Sequence, residues 1–366
     1  MRNPIQFRSC HMFLRLIVAL LIPTIFLVGG KAWAANYTAI EVAELSQGSA
    51  NVVRGANAAG IAVGAGKVVN AAGAAGPRRA LRFGNGGPQA IPGLNGTDYE
   101  TAFGVNDVGT VVGASNKDIG VRGFLTTQAG ETRELPPLGG DTASTAFAIN
   151  NGNQAVGFSS GPGGERAALW TANGAVTALP GAPAITMRAL SINARGDIAG
   201  VVDKGAGRHA VVWTGASVLQ ELNMLPGYTT SEPSSMNTLG AIVGHSGSAT
   251  GVHRATLWPS LREVVDLGAL PGGNFSEAFA INDQGEIVGT SGAGSSSRAV
   301  LWTSAGIQDL NTLIPPSPFV LIMAVGINNS GMIVAIGHDA SHEPGPGEQE
   351  SHEAPTRVYL LKRSGV

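Results

Sequence analysis

Four sets of residues carry the types and spacings that chemistry needs. The first is cationic. One basic side chain opens the same kind of apolar run at seven places: Arg79, Arg122, Arg166, His209, Arg254, Arg298 and Arg357. Cations at equivalent positions would attract an anionic ligand, or each would pair with a carboxylate on a neighbouring strand. Seven-fold recurrence favours the structural role, because a ligand site is rarely built seven times over. The second set is His338-Asp339-x-x-His342-Glu343, followed by Glu348, Glu350, His352 and Glu353. Imidazoles four residues apart bind zinc or nickel when a helix holds them on one face. Pro344, Gly345, Pro346 and Gly347 forbid a long helix here. A solvated acidic loop therefore competes with a metal site made from His338, His342 and His352.

The third set is His245-Ser246 with His253, a nucleophile and base if their side chains met. The fourth is the Asn-Asp step at Asn106-Asp107 and Asn282-Asp283. A calcium loop needs further oxygen ligands at alternate positions and a closing Glu, and Asn193-Ala194 and Asn237-Thr238 lack even the carboxylate. These steps read as turns. There is no His-Glu-x-x-His, no credible nucleophile elbow and no phosphate-binding glycine loop, so no cofactor is expected.

What must position these residues is a repeat. The word Ile-Asn-x-x-Gly-x-h-h-Gly, where h is apolar, is clearest at Ile281–Gly289, and its Asn recurs at Asn57, Asn106, Asn150, Asn193, Asn237, Asn282 and Asn328. The basic residue follows, with Trp four places on at Trp170, Trp213, Trp258 and Trp302. A third word, acidic-Leu or similar, stands at Glu134-Leu135, Glu221-Leu222, Asp266-Leu267 and Asp309-Leu310, and Glu41-Val42 supplies it ahead of the first copy. Each copy reads as four short strands; in the sixth they are Phe279–Ile281, Ile287–Thr290, Val300–Thr303 and Ile307–Leu310. No window shows a capped 3.6-residue period, so no helix is expected after the leader.

A four-stranded sheet of this length buries its faces only against the next copy. Seven copies predict an all-β, seven-bladed β-propeller. The chain opens on a lone fourth-type strand, about Thr38–Leu45, and ends on a third-type strand, Arg357–Leu361. The counts balance only if the N-terminal strand joins the C-terminal blade and closes the ring, removing two open edges. Copies 1 and 7 would then be neighbours, and their enlarged loops, Gly66–Pro77 and His338–Pro355, would form one rim on the same face.

Residues 1–34 read as a removed signal peptide, with one domain over 35–366. Arg2, Arg8 and Arg15 precede or open an apolar run, Leu16–Val28, and Ala32-Trp33-Ala34 offers a cleavage point. That run is too short for a membrane span and holds Pro23. The leader takes Arg2, Arg8, Arg15 and Lys31 and no carboxylate, so its loss moves the formal net charge from −2 to −6. An acidic chain argues against nucleic acid as a partner. Cys10, the one cysteine, lies in the leader, which leaves no disulfide or thiolate in the mature chain. The 53 glycines lack a three-residue period, which excludes collagen, and 13% charge with 43% hydrophobic residues excludes a disordered chain.

The copies resemble the HAF repeat of predicted bacterial extracellular proteins over most of Tyr37–Leu361. The matching words are Ala280–Gly289 (AINDQGEIVG), His209–Trp213 (HAVVW) and Asp266–Leu270 (DLGAL). The chain departs from the pattern at Arg82-Phe83, Thr126, Asn153 and Ala335, which marks copies 1, 2, 3 and 7 as irregular. The resemblance implies an exported bacterial repeat protein, periplasmic or extracellular, and carries no activity. The expectation is a monomeric, non-catalytic binding module, free of the membrane after cleavage, that recognises a protein, a glycan or a surface polymer. The rivals are a propeller enzyme (polysaccharide lyase or hydrolase) and a metal-binding protein using the His-rich segment.

Overall fold

The computed structural model describes residues 37–45, 52–57, 59–69, 75–84, 87–94, 99–117, 120–181, 185–293, 296–342 and 356–364. The leader lies outside these residues. They form 28 strands and two short 3-10 turns, Leu310–Thr312 and Ala340–His342, with no α-helix among them. None of the described residues forms a helix long and apolar enough to cross a membrane.

The strands make seven four-stranded antiparallel sheets, the blades of a seven-bladed propeller. Six follow chain order. Blade 6 runs Phe275–Ile281, Ile287–Ala293, Ser296–Thr303 and Gly306–Asp309, so the sequence placed all four strands, underestimated the length of the first three and set the fourth one residue late. In blade 7, Tyr37–Leu45 is the outer strand and pairs with Thr356–Arg363, from Tyr37 opposite Arg363 to Leu45 opposite Thr356. The expected closure of the ring is therefore present.

Closure is also written in the packing. The buried apolar residues fall into seven clusters, each shared by two neighbouring blades. One joins Val42, Val334, Val358 and Leu360 of blade 7 to Val53, Ala62, Leu81 and Phe83 of blade 1. Burial at about 25 cal/mol per Å² of apolar area thus acts between blades. The Trp position anchors it: Trp170, Trp213 and Trp258 are fully buried, and each indole Nε1 donates to a carbonyl that follows the preceding blade, at Pro136, Pro180 and Asn223 (2.7–2.8 Å). Blade 2 divides the job. Phe124 fills the volume, and Thr126 Oγ1 donates to Pro92 O at 3.0 Å.

The Asn-x-x-Gly word forms the hairpin between the first two strands of each blade. Its last residue needs a left-handed backbone, as at Gly285 (φ 78°). In blade 3 that place is Asn153, and it takes the same turn at φ 56°, so the hairpin expected to be irregular is regular. The glycine closing the word has a different cause: a Cβ on Gly289 would lie 1.9 Å from Glu277 O on the inner strand. Blade 7 holds Ala335 there, and its inner strand has a second register shift, between Leu321 and Met323.

Blades 1 and 7 are neighbours, as the rim argument required. The long segment of blade 1 is less of a loop than expected, because strand pairing continues to Val69 opposite Ala75. Residues 70–74 and 343–355 lie outside the described residues, and with them the tips of both segments.

Candidate functional site

The seven cationic positions stand near the start of each third strand, away from the axis. Four pair with the acidic word of their own blade's outer strand: Arg122 with Glu134 (3.2 Å), His209 with Glu221 (2.6 Å), Arg254 with Asp266 (3.5 Å) and Arg357 with Glu41 (3.2 Å). Arg79 reaches the buried Glu100 of blade 2 at 3.3 Å, and Arg166 reaches Asp141 at 2.9 Å. Arg298 Nη1 donates to Ser297 O. The second and third sequence words are thus largely each other's partners. Hydrogen bonds from Lys204 and His209 outweigh the burial that would raise the Glu221 carboxyl, and hold it below its ordinary value.

The His-rich segment is not drawn together within the described residues. His338 is buried on a blade 7 strand, with Nδ1 2.9 Å from Asp339 O. His342 ends the second 3-10 turn, and His352 lies outside the described residues. Ser246 and His245 do not form a dyad: as neighbours on a strand they point to opposite faces, and Ser246 Oγ meets Thr256 Oγ1 at 2.9 Å.

The axis carries the feature that sequence reasoning missed. Every inner strand has a register shift three residues before its Asn: at Arg54, Phe103, Phe147, Leu190, Ser234, Phe279 and Val325. A bulge breaks the in-out alternation and re-aims a side chain. Phe103, Phe147, Leu190, Ser234, Phe279 and Val325 are half-buried and line one axial cavity of about 340 Å³. Phe103 and Phe147 meet edge to face at 5.1 Å, and Phe147 continues to Phe158 at 5.6 Å. Five of the six collar side chains are apolar, with a polar gap at Ser234 and Ser235 of blade 5, whereas the cavity as a whole exposes more polar than apolar surface because the Asn ring of the mouth lines it too.

Its mouth is polar and already bonded. Each anchor Asn is buried or nearly so, and its Oδ1 accepts the amide four residues on at 2.9–3.0 Å. In six steps the Nδ2 donates to the carbonyl of the next blade's Asn, from Asn57 to Asn106 (3.0 Å) round to Asn282 to Asn328 (3.1 Å). One position further, Asp283 accepts from Thr238 of blade 5 (2.6 Å) and from Asn329 of blade 7 (2.8 Å), and Asp107 accepts from Asn151 (2.8 Å). The carboxylates that brought calcium to mind are thus spent on bonds between blades.

No protein-family model matches the chain, and no curated protein sequence is similar to it. Solved structures do resemble it. The β-propeller domain of the Trilobed protease from Pyrococcus furiosus, described as an open velcro topology, superposes with a TM-score of 0.55 at 7% identity, over 90% of this chain and 94% of that one. TolB from Acinetobacter baumannii has a TM-score of 0.47 at 12% identity, over 69% and 61% of the two chains. YCF48, solved bound to a D1 peptide, has 0.48 at 10% identity, over 90% and 97%. At 7% identity the likeness to the Pyrococcus furiosus domain is one of fold: the chain is similar to a known β-propeller.

Proposed function

We propose that the protein is an exported, non-catalytic binding module that seats an apolar side chain of a protein partner in the axial cavity. The supporting observation is the pairing of an apolar collar with a mouth whose polar groups are already committed. The cavity, about 340 Å³, lies in the range of small-molecule and side-chain pockets. A glycan needs free donors and acceptors, and the Asn amides of the mouth already reach the neighbouring blades. Among the described lining residues the ionisable side chains are Asp107 and Asp283, and both carboxylates accept hydrogen bonds. Export rests on the leader, and membership of the HAF-repeat family belongs to the same reading; the N-terminus of the exported chain should be residue 35.

The test is a peptide display library and a glycan array probed with the exported chain and with Phe147→Glu. Peptides with an aromatic or aliphatic centre should be enriched, and the variant should lose at least about tenfold in affinity, as a central apolar anchor would. Glycan binding without peptide enrichment, or undiminished binding by Phe147→Glu, would overturn the reading.

A further inference from the structure

Away from the axis, three ligand-type side chains converge between blades 5 and 6. His245 stands on Ile242–Gly247, His253 opens His253–Ser260, and Glu277 stands on Phe275–Ile281 of the next blade. His245 faces Ala255 and Gly247 faces His253, so the two imidazoles share a sheet face. Their rings stack at 4.3 Å and 19°. His253 Nδ1 is hydrogen-bonded to Glu277 Oε1. One nitrogen from each imidazole and a carboxylate oxygen lie within 4.8 Å of one another. The His253 and Glu277 side chains are 39% and 24% exposed, which opens the cluster to solvent.

The repeat shows what this cluster replaces. At the same positions, blades 3 and 4 hold Phe158, Glu165 and Arg188, and the Arg188 guanidinium donates twice to Glu165, at 2.5 and 2.6 Å, and lies over Phe158. Blades 4 and 5 hold Val201, Arg208 and Glu232, with Arg208 bonded to Glu232 at 2.9 Å. In both places a permanent cation answers the carboxylate across the blade interface. Between blades 5 and 6 there is no guanidinium at these positions. The carboxylate faces two imidazoles, which can offer lone pairs where arginine offers only donors.

We propose that His245, His253 and Glu277 form a binding site for a divalent transition-metal ion of the zinc class. Two imidazoles and one carboxylate are the donor set of a three-ligand zinc site whose fourth position stays open to water or to an oxygen of a bound molecule. Bonds of about 2.0–2.2 Å set tetrahedral neighbours roughly 3.3 Å apart, so the donor atoms, now within 4.8 Å of one another, close by up to about 1.5 Å, and one of the stacked rings turns so that both nitrogen lone pairs meet on the ion. The ion restores the positive charge that arginine supplies at the two preceding interfaces, and it staples blade 5 to blade 6.

The test is titration of the EDTA-stripped chain with Zn²⁺ by calorimetry, with the visible absorption of Co²⁺ as a reporter of tetrahedral nitrogen and oxygen ligands. One ion per chain should bind. His245→Val, which installs the residue blade 4 carries at this position, and Glu277→Gln should each lose more than the roughly 10–100-fold that outer-shell partners are worth. Matching metal-free melting curves for wild type and His245→Val separate loss of zinc from loss of fold. The double variant His342→Ala/His352→Ala should keep the Co²⁺ spectrum. Absence of zinc binding, survival of the stoichiometric ion in His245→Val and Glu277→Gln, or its loss only in the double variant would overturn the proposal.

Discussion

Asn106 donates its side-chain amide to the main-chain carbonyl of Asn150, 3.0 Å away and one blade ahead, while its Oδ1 accepts the amide of Thr110 at 2.9 Å. One buried side chain therefore shapes a hairpin and ties that hairpin to its neighbour. Asn106→Ala removes both bonds and a third, from Nδ2 to Asn153 Oδ1 (2.9 Å), and leaves two main-chain groups to find new partners. The expected cost is about 2–4 kcal/mol, from the lost hydrogen bonds and the desolvation of the main-chain groups they satisfied. Chemical denaturation of wild type and variant measures it. A change below about 0.5 kcal/mol would show that the six-step girdle contributes little.

Asp283 makes the rim of the mouth sensitive to acid. Burial alone would raise its pKa, but hydrogen bonds from the Thr238 hydroxyl and amide and from Asn329 outweigh it and hold the carboxyl below its ordinary value. A carboxyl with a lower pKa in the folded state adds stability above its unfolded value, and that stability is lost as pH falls through the folded one. The expected result is a gap of about 1–2 kcal/mol between wild type and Asp283→Ala at pH 7, shrinking through the acidic range below about pH 4. Melting curves from pH 7 downward check this; a gap that widens with acid contradicts it.

The contrast between these two residues shows what a single sequence reveals. The turn role of the anchor Asn was legible because a turn is local: Asn, then Gly at positive φ, within four residues. Its second role was not, since the Nδ2 bond spans 43 to 49 residues and exists only once blades stand side by side. The cationic and acidic words were both found, and pairing with a carboxylate on a neighbouring strand was expected, yet which carboxylate depended on the register that sets third against outer strands, as for Arg122 and Glu134. The collar was hidden because a bulge defeats alternation: Phe279 sits between Ala278 and Ala280, and only the register shift there turns it towards the axis. His245 and His253 were noticed, whereas Glu277 belongs to the next repeat and joins them only across the interface.

Ring closure rests on the first strand. Tyr37 is fully buried, its amide donates to Leu313 O at 2.8 Å, and its phenol accepts from Arg363, which also reaches Glu286 of blade 6. Deleting residues 37–45 uncovers Tyr37's site and that of Val42 and reopens the edge of Thr356–Arg363. The two buried side chains alone account for about 3–6 kcal/mol, and an unpaired edge strand invites association. The truncated chain should melt at lower temperature and aggregate in light scattering. A truncated chain that stays monodisperse and melts as before would mean that the strand is not the clasp.

The Trp position allows volume and hydrogen bonding to be separated. Trp213 is fully buried, and its Nε1 donates to Pro180 O at 2.7 Å. Trp213→Phe keeps an aromatic ring and drops the donor, leaving a buried carbonyl short of its partner, at about 1–3 kcal/mol. Trp213→Ala also opens a cavity and should cost about 3–5 kcal/mol. Blade 2 supplies the internal control. There Thr126 makes the equivalent bond to Pro92 O, and Thr132 Oγ1 donates to the same carbonyl at 2.9 Å. Thr126→Val should therefore cost less than Trp213→Phe, because Pro92 keeps one donor while Pro180 loses the indole. Equilibrium unfolding of the three variants ranks them, and a Thr126→Val loss equal to or above that of Trp213→Phe would refute the idea that the carbonyl left without a donor sets the cost of Trp213→Phe.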